Sequence, residues 1–130
     1  MILVDTHVVI WLALDAGRLS KKASQAINDA RKNGEGIAIS GISLYELAVT
    51  AHRGRIKLEI SVESFLREVE ARFIIKPLTS LISLKATELP ASYPNDPMDR
   101  LIGATALMEG LRLVTADEQI RKSKALPTIW

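Results

Sequence analysis

The chain has 130 residues and 48% apolar side chains, a size and composition that exclude a disordered protein and predict one domain over residues 1–130. The absence of cysteine excludes disulfide bonds, thiolate metal sites and cysteine nucleophiles. The formal net charge of +2 is compatible with binding to a polyanion but is too small to indicate one.

No segment has the features of a membrane anchor or a secretion signal. The apolar run from Val8 to Leu14 is far shorter than the ~20 residues that a bilayer-spanning helix needs. The first residues lack a basic leader and a small-residue cleavage site. We therefore predict a cytoplasmic protein with no membrane partner.

The first half of the chain alternates short apolar runs with helical segments. In chain order we predict a strand at 2–4, helices at 6–14 and about 20–32, a strand at 37–39, and helices around 44–51 and 62–69. The turn from Asn33 to Gly36 ends the second helix, and a basic turn from His52 to Arg55 follows the third.

The second half continues the alternation. We predict a strand at 73–75, helices at about 80–89 and 97–109, a strand at 111–115, a short helix from about 117 and a last strand at 128–130. Alternating strands and helices predict a parallel sheet with helices on both faces. Ligands of such sheets bind at the carboxyl ends of the strands, where we look for functional residues.

Four acids fall near that edge. Asp5 ends the first strand, and Glu46 lies early in the helix after the second strand. Asp99 lies in the first turn of the long helix, and Asp117 follows the fourth strand by two residues. The carboxyl ends of parallel strands meet at one edge, so the four carboxylates are expected to converge.

Each acid also has a purely structural interpretation as a helix cap. Asp5 and Asp117 suit N-caps, the segment from Ser43 to Glu46 matches a capping box, and Asp96 before Pro97 is a further cap. Capping alone does not explain why Glu46 and Asp99 lie in helical rows with apolar residues. A carboxylate on a packed face is costly unless hydrogen bonds or a cation compensate for its burial.

A divalent cation would reverse the repulsion among four converging carboxylates. Sites with oxygen ligands alone favour Mg²⁺, or Mn²⁺, over zinc. Such ions activate water and stabilise the leaving oxygen when a phosphodiester is cleaved. The residues therefore predict a magnesium-dependent nuclease.

Four segments of the chain together resemble the PIN-domain nucleases and, within them, the VapC-like toxins of toxin–antitoxin pairs. These segments are Met1–His7, Ser43–Ala48, Asn95–Ile102 and Leu113–Glu118. Their order and spacing extend the resemblance over the whole chain. The resemblance implies a three-layer α/β/α sandwich with a central, mostly parallel sheet. It also implies an Mg²⁺-dependent endoribonuclease that forms a homodimer or a hetero-oligomer with a cognate antitoxin.

Carried over by position, the acidic site comprises Asp5, Glu46, Asp99 and Asp117. Among them, Asp5, Asp99 and Asp117 are the expected metal ligands. Supporting hydroxyls are expected from Thr115, Thr6 and Ser43. Many family members have Asn or Ser where this chain has His7, which leaves open whether His7 is a general base or a hydrogen-bonding group at the helix start.

A basic cluster supplies candidate contacts to RNA phosphates. It comprises His52, Arg53, Arg55 and Lys57, of which the last three are candidates for RNA contact together with Arg100 beside Asp99. The alternatives are a solvated turn that favours the helix end and, for Arg100, an ordinary salt bridge. Trp11 and Tyr45 are candidates for an antitoxin groove or for core packing, and Phe65 for the core or a dimer face.

Other functions compete with the toxin hypothesis. The chain is alternatively a PIN nuclease of cellular RNA processing, or a catalytically silent PIN-like binding module. A phosphatase with Asp5 as its nucleophile usually needs a second Asp two residues later, where this chain has His7. Response-regulator receivers need an acidic pair after the first strand, which is also missing.

Overall fold

The computed structural model describes all of residues 1–130 and contains one five-stranded sheet. The strands are β1 (Ile2–Val4), β2 (Ile37–Ser40), β3 (Ile74–Lys76), β4 (Arg112–Val114) and β5 (Thr128–Ile129). Their order across the sheet is β3-β2-β1-β4-β5, and every neighbouring pair is parallel. The carboxyl ends of all strands therefore lie at one edge, with β1 in the middle of it.

Seven α-helices and one 3₁₀ turn connect the strands. The helices are α1 (Thr6–Leu14), α2 (Lys21–Lys32), α3 (Gly41–His52), α4 (Val62–Arg72), α5 (Ser80–Thr87), α6 (Pro97–Glu109) and α7 (Glu118–Ser123), and the 3₁₀ turn is Ala16–Arg18. Every predicted helix and strand is present, with shifts of one to three residues at some ends.

The start of α3 differs from the prediction. We expected a capping box from Ser43 to Glu46, but the helix begins at Gly41, directly after β2, and its N-cap is Ser40. The hydroxyl of Ser40 accepts a hydrogen bond from Ile42 N–H at 3.3 Å. The capping-box prediction is therefore wrong, and Ser43 lies fully buried in the first helical turn instead.

Side chains alternate between the two faces of the sheet and so build two cores. Ile2 and Val4 of β1 pack against helical residues that include Phe65 in a cluster of 13 buried residues. Leu3 points to the opposite face and packs with Ile102 of α6 in a cluster of nine. Helices thus cover both faces, which confirms the three-layer α/β/α arrangement. None of these helices has the length and apolar character needed to cross a bilayer.

Candidate metal centre

Asp5 lies directly after the central strand and is almost fully buried, with 4% of its surface exposed. It is the N-cap of α1, and its Oδ1 accepts a hydrogen bond from Thr6 N–H at 2.8 Å. Its Oδ2 accepts a second hydrogen bond from the hydroxyl of Thr115 at 2.7 Å. The two donors offset part of the cost of burying this carboxylate and fix its orientation.

Thr115 links Asp5 to Asp117 across the ends of β1 and β4. Its buried hydroxyl oxygen also accepts a hydrogen bond from Asp117 N–H at 3.1 Å. Asp117 is the N-cap of α7, and its Oδ1 accepts a hydrogen bond from Ile120 N–H at 2.9 Å. One hydroxyl therefore holds two acidic segments in register, a geometry that suits the supporting role predicted for Thr115.

Thr6 makes a comparable link from the start of α1 to α3. Its Oγ1 lies 2.6 Å from Oε1 of Glu46 and 2.9 Å from the hydroxyl of Ser43. A hydroxyl has one proton, and the shorter contact to a carboxylate is the stronger, charge-assisted one. Thr6 therefore donates to Glu46 and accepts from Ser43, while Oε2 of Glu46 keeps no hydrogen-bond partner within the protein.

Asp99 experiences the negative charges of all the other acids. It is half-buried in the first turn of α6. Its environment raises the pKa of its carboxyl from 3.8 to about 7. Burial is the largest cause, and the other causes are the charges of Asp5, Asp96, Glu46 and Asp117. Because Coulomb interactions weaken with distance, acids from separate elements of the fold lie near Asp99.

Asp96, which we predicted only as a helix cap, is a fifth acid near the site. It does cap α6, accepting hydrogen bonds from the N–H groups of Met98 at 2.9 Å and Asp99 at 3.1 Å. Its charge also raises the pKa of Glu46, after burial and Asp5, while the hydrogen bond from Thr6 lowers it. Its place near the site could have been predicted from the sequence, because Asp96 precedes Asp99 by one helical turn.

Tyr93 fixes the start of α6 from inside the second core. Its side chain is fully buried, and its hydroxyl donates a hydrogen bond to the backbone oxygen of Asp99 at 2.7 Å. The ring packs against Gly103, where an added Cβ would lie 2.3 Å from the Tyr93 hydroxyl oxygen. Gly103 is therefore required for the close approach of Tyr93 to α6, which positions Asp99.

Arg100 points away from the acids. Its guanidinium donates hydrogen bonds to the backbone oxygens of Ala86 at 2.9 Å, Leu89 at 2.8 Å and Pro94 at 3.1 Å. These bonds tie the segment before α6 to the helix. The geometry favours a structural role for Arg100 over the predicted contact with RNA.

His7 is hydrogen-bonded beside Asp5, and the aromatic residues Trp11 and Tyr45 differ in their exposure. Nε2 of His7 accepts a hydrogen bond from Ala116 N–H at 2.9 Å. Of the two roles predicted for His7, this geometry favours the hydrogen-bonding group at the helix start. Its Nδ1 lies 3.5 Å from Oδ2 of Asp5. Trp11 is half-buried, whereas Tyr45 is 57% exposed.

The basic turn after α3 lies apart from the acids. Arg53, Arg55 and Lys57 are exposed. Arg53 follows Glu46 by seven residues, which corresponds to about 10 Å along a helix axis. No ion pair joins these cations to the acidic site. Their contact with RNA stays a prediction.

The acids do not form a closed cage for a cation. No group of three acidic or histidine side chains lies close enough together to hold an ion alone, and the five main cavities of the molecule are lined by other residues. Mg²⁺ is usually held by one or two carboxylates and keeps several of its waters. Asp5, Asp99 and Asp117 offer oxygen donors of the kind such an ion prefers, with Asp5 buried and the other two half-buried.

The raised pKa of Asp99 predicts how stability depends on pH in the absence of divalent ions. Between about pH 4 and 7 the folded chain holds a proton that the unfolded chain releases, so the free energy of unfolding falls as the pH rises. Asp99→Asn removes this effect. We expect the variant to gain stability over wild type between pH 5 and 8, on the order of 1 kcal/mol after allowance for solvent screening. Urea denaturation in EDTA measures this difference, and a value that does not change with pH would contradict the prediction.

Comparison with known proteins agrees with this architecture. The model of the PIN domain matches residues 2–126. Ribonuclease VapC22 of Mycobacterium tuberculosis (strain ATCC 25618 / H37Rv) is 41% identical over 131 residues, which cover 99% of this chain and 98% of the relative. Among solved structures, the fold is similar to that of VapBC2 from Rickettsia felis bound to a DNA fragment from its promoter, with a TM-score of 0.72 and 20% sequence identity. The superposition covers 98% of this chain and 97% of that chain. A toxin–antitoxin complex from Klebsiella pneumoniae has a TM-score of 0.60 at 26% identity, with coverages of 90% and 87%. The near-complete match of the family model and the full-length relative show that this chain belongs to the PIN-domain family.

Proposed function

We propose that the protein is an Mg²⁺-dependent endoribonuclease that acts in the cytoplasm as the toxin of a toxin–antitoxin pair. The observation that carries the proposal is the convergence of acids at the carboxyl end of the sheet, where the Thr115 hydroxyl joins Asp5 to Asp117 and the Thr6 hydroxyl joins the start of α1 to Glu46. Burial and the charges of four acids also raise the pKa of the Asp99 carboxyl to about 7. A carboxylate so disfavoured in its charged form gains stability when a divalent cation binds beside it.

Each acid is assigned a role in holding the ion or in orienting water. Asp5 and Asp99 hold the ion, and Asp117 completes the site or orients water. The Thr6 and Thr115 hydroxyls keep Glu46 and Asp5 in fixed orientations. Oε2 of Glu46 has no partner in the protein, so it is placed to orient a water and accept its proton. When bound, Mg²⁺ supplies Lewis-acid stabilisation of the phosphate and lowers the pKa of a bound water.

RNA is the substrate that the similarities support. A relative that is 41% identical over almost its whole length is named a ribonuclease. None of the five main cavities of the molecule is lined by these acids, which suits a polymer substrate better than an enclosed small molecule. An acid-rich site needs the ion before it can accept a polyanion, since the carboxylates alone would repel phosphate.

An antitoxin is the protein partner that the structural neighbours support, since those neighbours include a toxin–antitoxin complex from Klebsiella pneumoniae. A cavity of about 810 Å³ between α1 and α4 suits an apolar segment of such a partner. Nine of its 14 lining residues are hydrophobic, among them Leu12, Leu58 and Phe65. Ile60 at its border is 51% exposed and available for contact.

Metal removal tests the proposed activity. We expect the wild-type protein to cleave single-stranded RNA with Mg²⁺, to lose this activity in excess EDTA and to regain it when Mg²⁺ is restored. Cleavage of equal rate in EDTA would contradict the proposal. Adding the purified antitoxin is expected to suppress cleavage.

A further inference from the structure

A cavity of about 900 Å³ lies away from the acids, near the amino ends of the strands. The first residues of β1, β4 and β5 line it together with α2 and α7. Four cations face it: Lys21, Lys22, Arg112 and Arg121. Two acidic side chains, Asp29 and Glu35, also line it, so the lining side chains carry a charge of four minus two, or +2. This equals the formal net charge of the whole chain.

The cations of this cavity have no ion-pair partners, whereas each of its two acids has a polar partner of its own. None of the four takes part in a salt bridge. Glu35 lies 3.6 Å from the amino terminus, and Asp29 accepts a hydrogen bond from Gln25 at 2.8 Å. Lys21 and Lys22 also occupy the first turn of α2, where the helix dipole disfavours cations. Helix stability therefore does not explain these lysines, but an anionic ligand would.

A line of rings connects the cavity to the acids. Trp130 lines the cavity, and its ring centre lies 5.7 Å from that of Trp11. Trp11 lies 4.9 Å from the ring of His7, which in turn lies 3.5 Å from Oδ2 of Asp5. The guanidinium of Arg18 stands 4.3 Å above the Trp11 ring. Aromatic rings interleaved with cations are the features with which proteins bind single-stranded nucleic acid.

We propose that the basic cavity and the rings leading to it bind the single-stranded flank of the RNA whose phosphodiester is cut at the acids. The cations of the cavity contact phosphates, and Trp11 and Trp130 stack against bases. The cavity and the acids are close along the chain, because Ile2 at the cavity begins β1 and Asp5 directly follows it, three residues or about 10 Å further on. This inference rests on the proposed function, since it extends the substrate of the same site.

The test compares RNA binding by Lys21→Gln/Lys22→Gln with binding by the charge-matched control Lys85→Gln/Lys124→Gln, whose residues do not line the cavity. Both are made in Asp99→Asn so that the RNA stays intact. We expect the first pair to weaken binding of a 12-nucleotide RNA about tenfold and to reduce the salt slope of log K by about 1.4, as for two lost single-strand phosphate contacts. The control is expected to change neither quantity. Equal effects of both pairs would overturn the proposal.

Two further arms separate the possible explanations. Wild-type cleavage of a dinucleotide tests the proposed function alone, since a dinucleotide carries only the phosphodiester that is cut and has no flanking phosphate for the cavity to bind. If the dinucleotide is not cleaved, the proposed function is contradicted, while the binding comparison still tests the cavity by itself. Unchanged RNA binding by Lys21→Gln/Lys22→Gln, with weakened antitoxin binding, would assign the cavity to an acidic peptide and overturn the RNA proposal. Trp130→Ala is expected to weaken RNA binding more than Trp130→Phe, which retains a ring for stacking.

Discussion

Asp99→Asn and Asp5→Asn are each expected to reduce RNA cleavage with saturating Mg²⁺ by roughly 100-fold or more. A metal ion contributes several kcal/mol of transition-state stabilisation, and a loss of about 2.7 kcal/mol corresponds to a 100-fold lower rate. Asparagine keeps the shape of the side chain but removes the charge that attracts the ion. Initial rates on a labelled RNA, measured over a range of Mg²⁺ concentrations, provide the comparison.

The matched control is Glu70→Gln, which removes one charge from an exposed carboxylate outside the site. We expect it to cleave at the wild-type rate. Asp99→Asn should lose activity without losing stability, because it relieves repulsion among buried carboxylates. Variants of Asp5 and Asp99 that cleave as fast as Glu70→Gln would show that these acids are not the metal site.

Gly103→Ala is expected to be the most destabilising small substitution in the chain, at about 2–4 kcal/mol. The new Cβ would lie 2.3 Å from the hydroxyl oxygen and 2.7 Å from Cζ of Tyr93. Tyr93 cannot move aside easily, because it is fully buried and its hydroxyl is bonded to the Asp99 backbone. Thermal unfolding should show a Tm about 10 °C lower than wild type. The residual activity is also expected to fall, because Tyr93 positions Asp99.

Gly17→Ala is the control for this substitution. At Gly17 the nearest atom to an added Cβ is Oδ1 of Asp15 at 3.8 Å, an ordinary contact distance. We expect its free energy of unfolding to stay within about 0.5 kcal/mol of wild type. A Gly103→Ala variant as stable as Gly17→Ala would mean that Tyr93 and α6 are packed less tightly than described.

The sequence allowed prediction of the elements and of the edge where the acids meet, because both depend on local patterns. Asp5 ends an apolar strand and begins a helix, so its place at the sheet edge follows from its neighbours. The parallel sheet follows from the alternation of strands and helices. The exact start of α3 did not follow, since Ser40 and Ser43 are both suitable caps and tertiary structure selects Ser40.

Contacts between residues that are distant along the chain could not be predicted from the sequence. The bond of Arg100 to the oxygens of residues 86, 89 and 94 depends on how a loop folds back onto α6. The packing of Tyr93 on Gly103 brings together residues of a loop and a helix interior. The effect of the Asp96 charge on Asp99 was not predicted, because helix capping alone was enough to explain an acid at position 96.

Anomalous diffraction from a crystal soaked in Mn²⁺ tests most directly whether these separate segments jointly ligate one cation. We expect a peak at coordination distance from carboxylate oxygens of both Asp5 and Asp99, with Asp117 beside it. A well-soaked crystal with no peak between these two side chains, or with the ion bound only elsewhere, would contradict a shared metal centre.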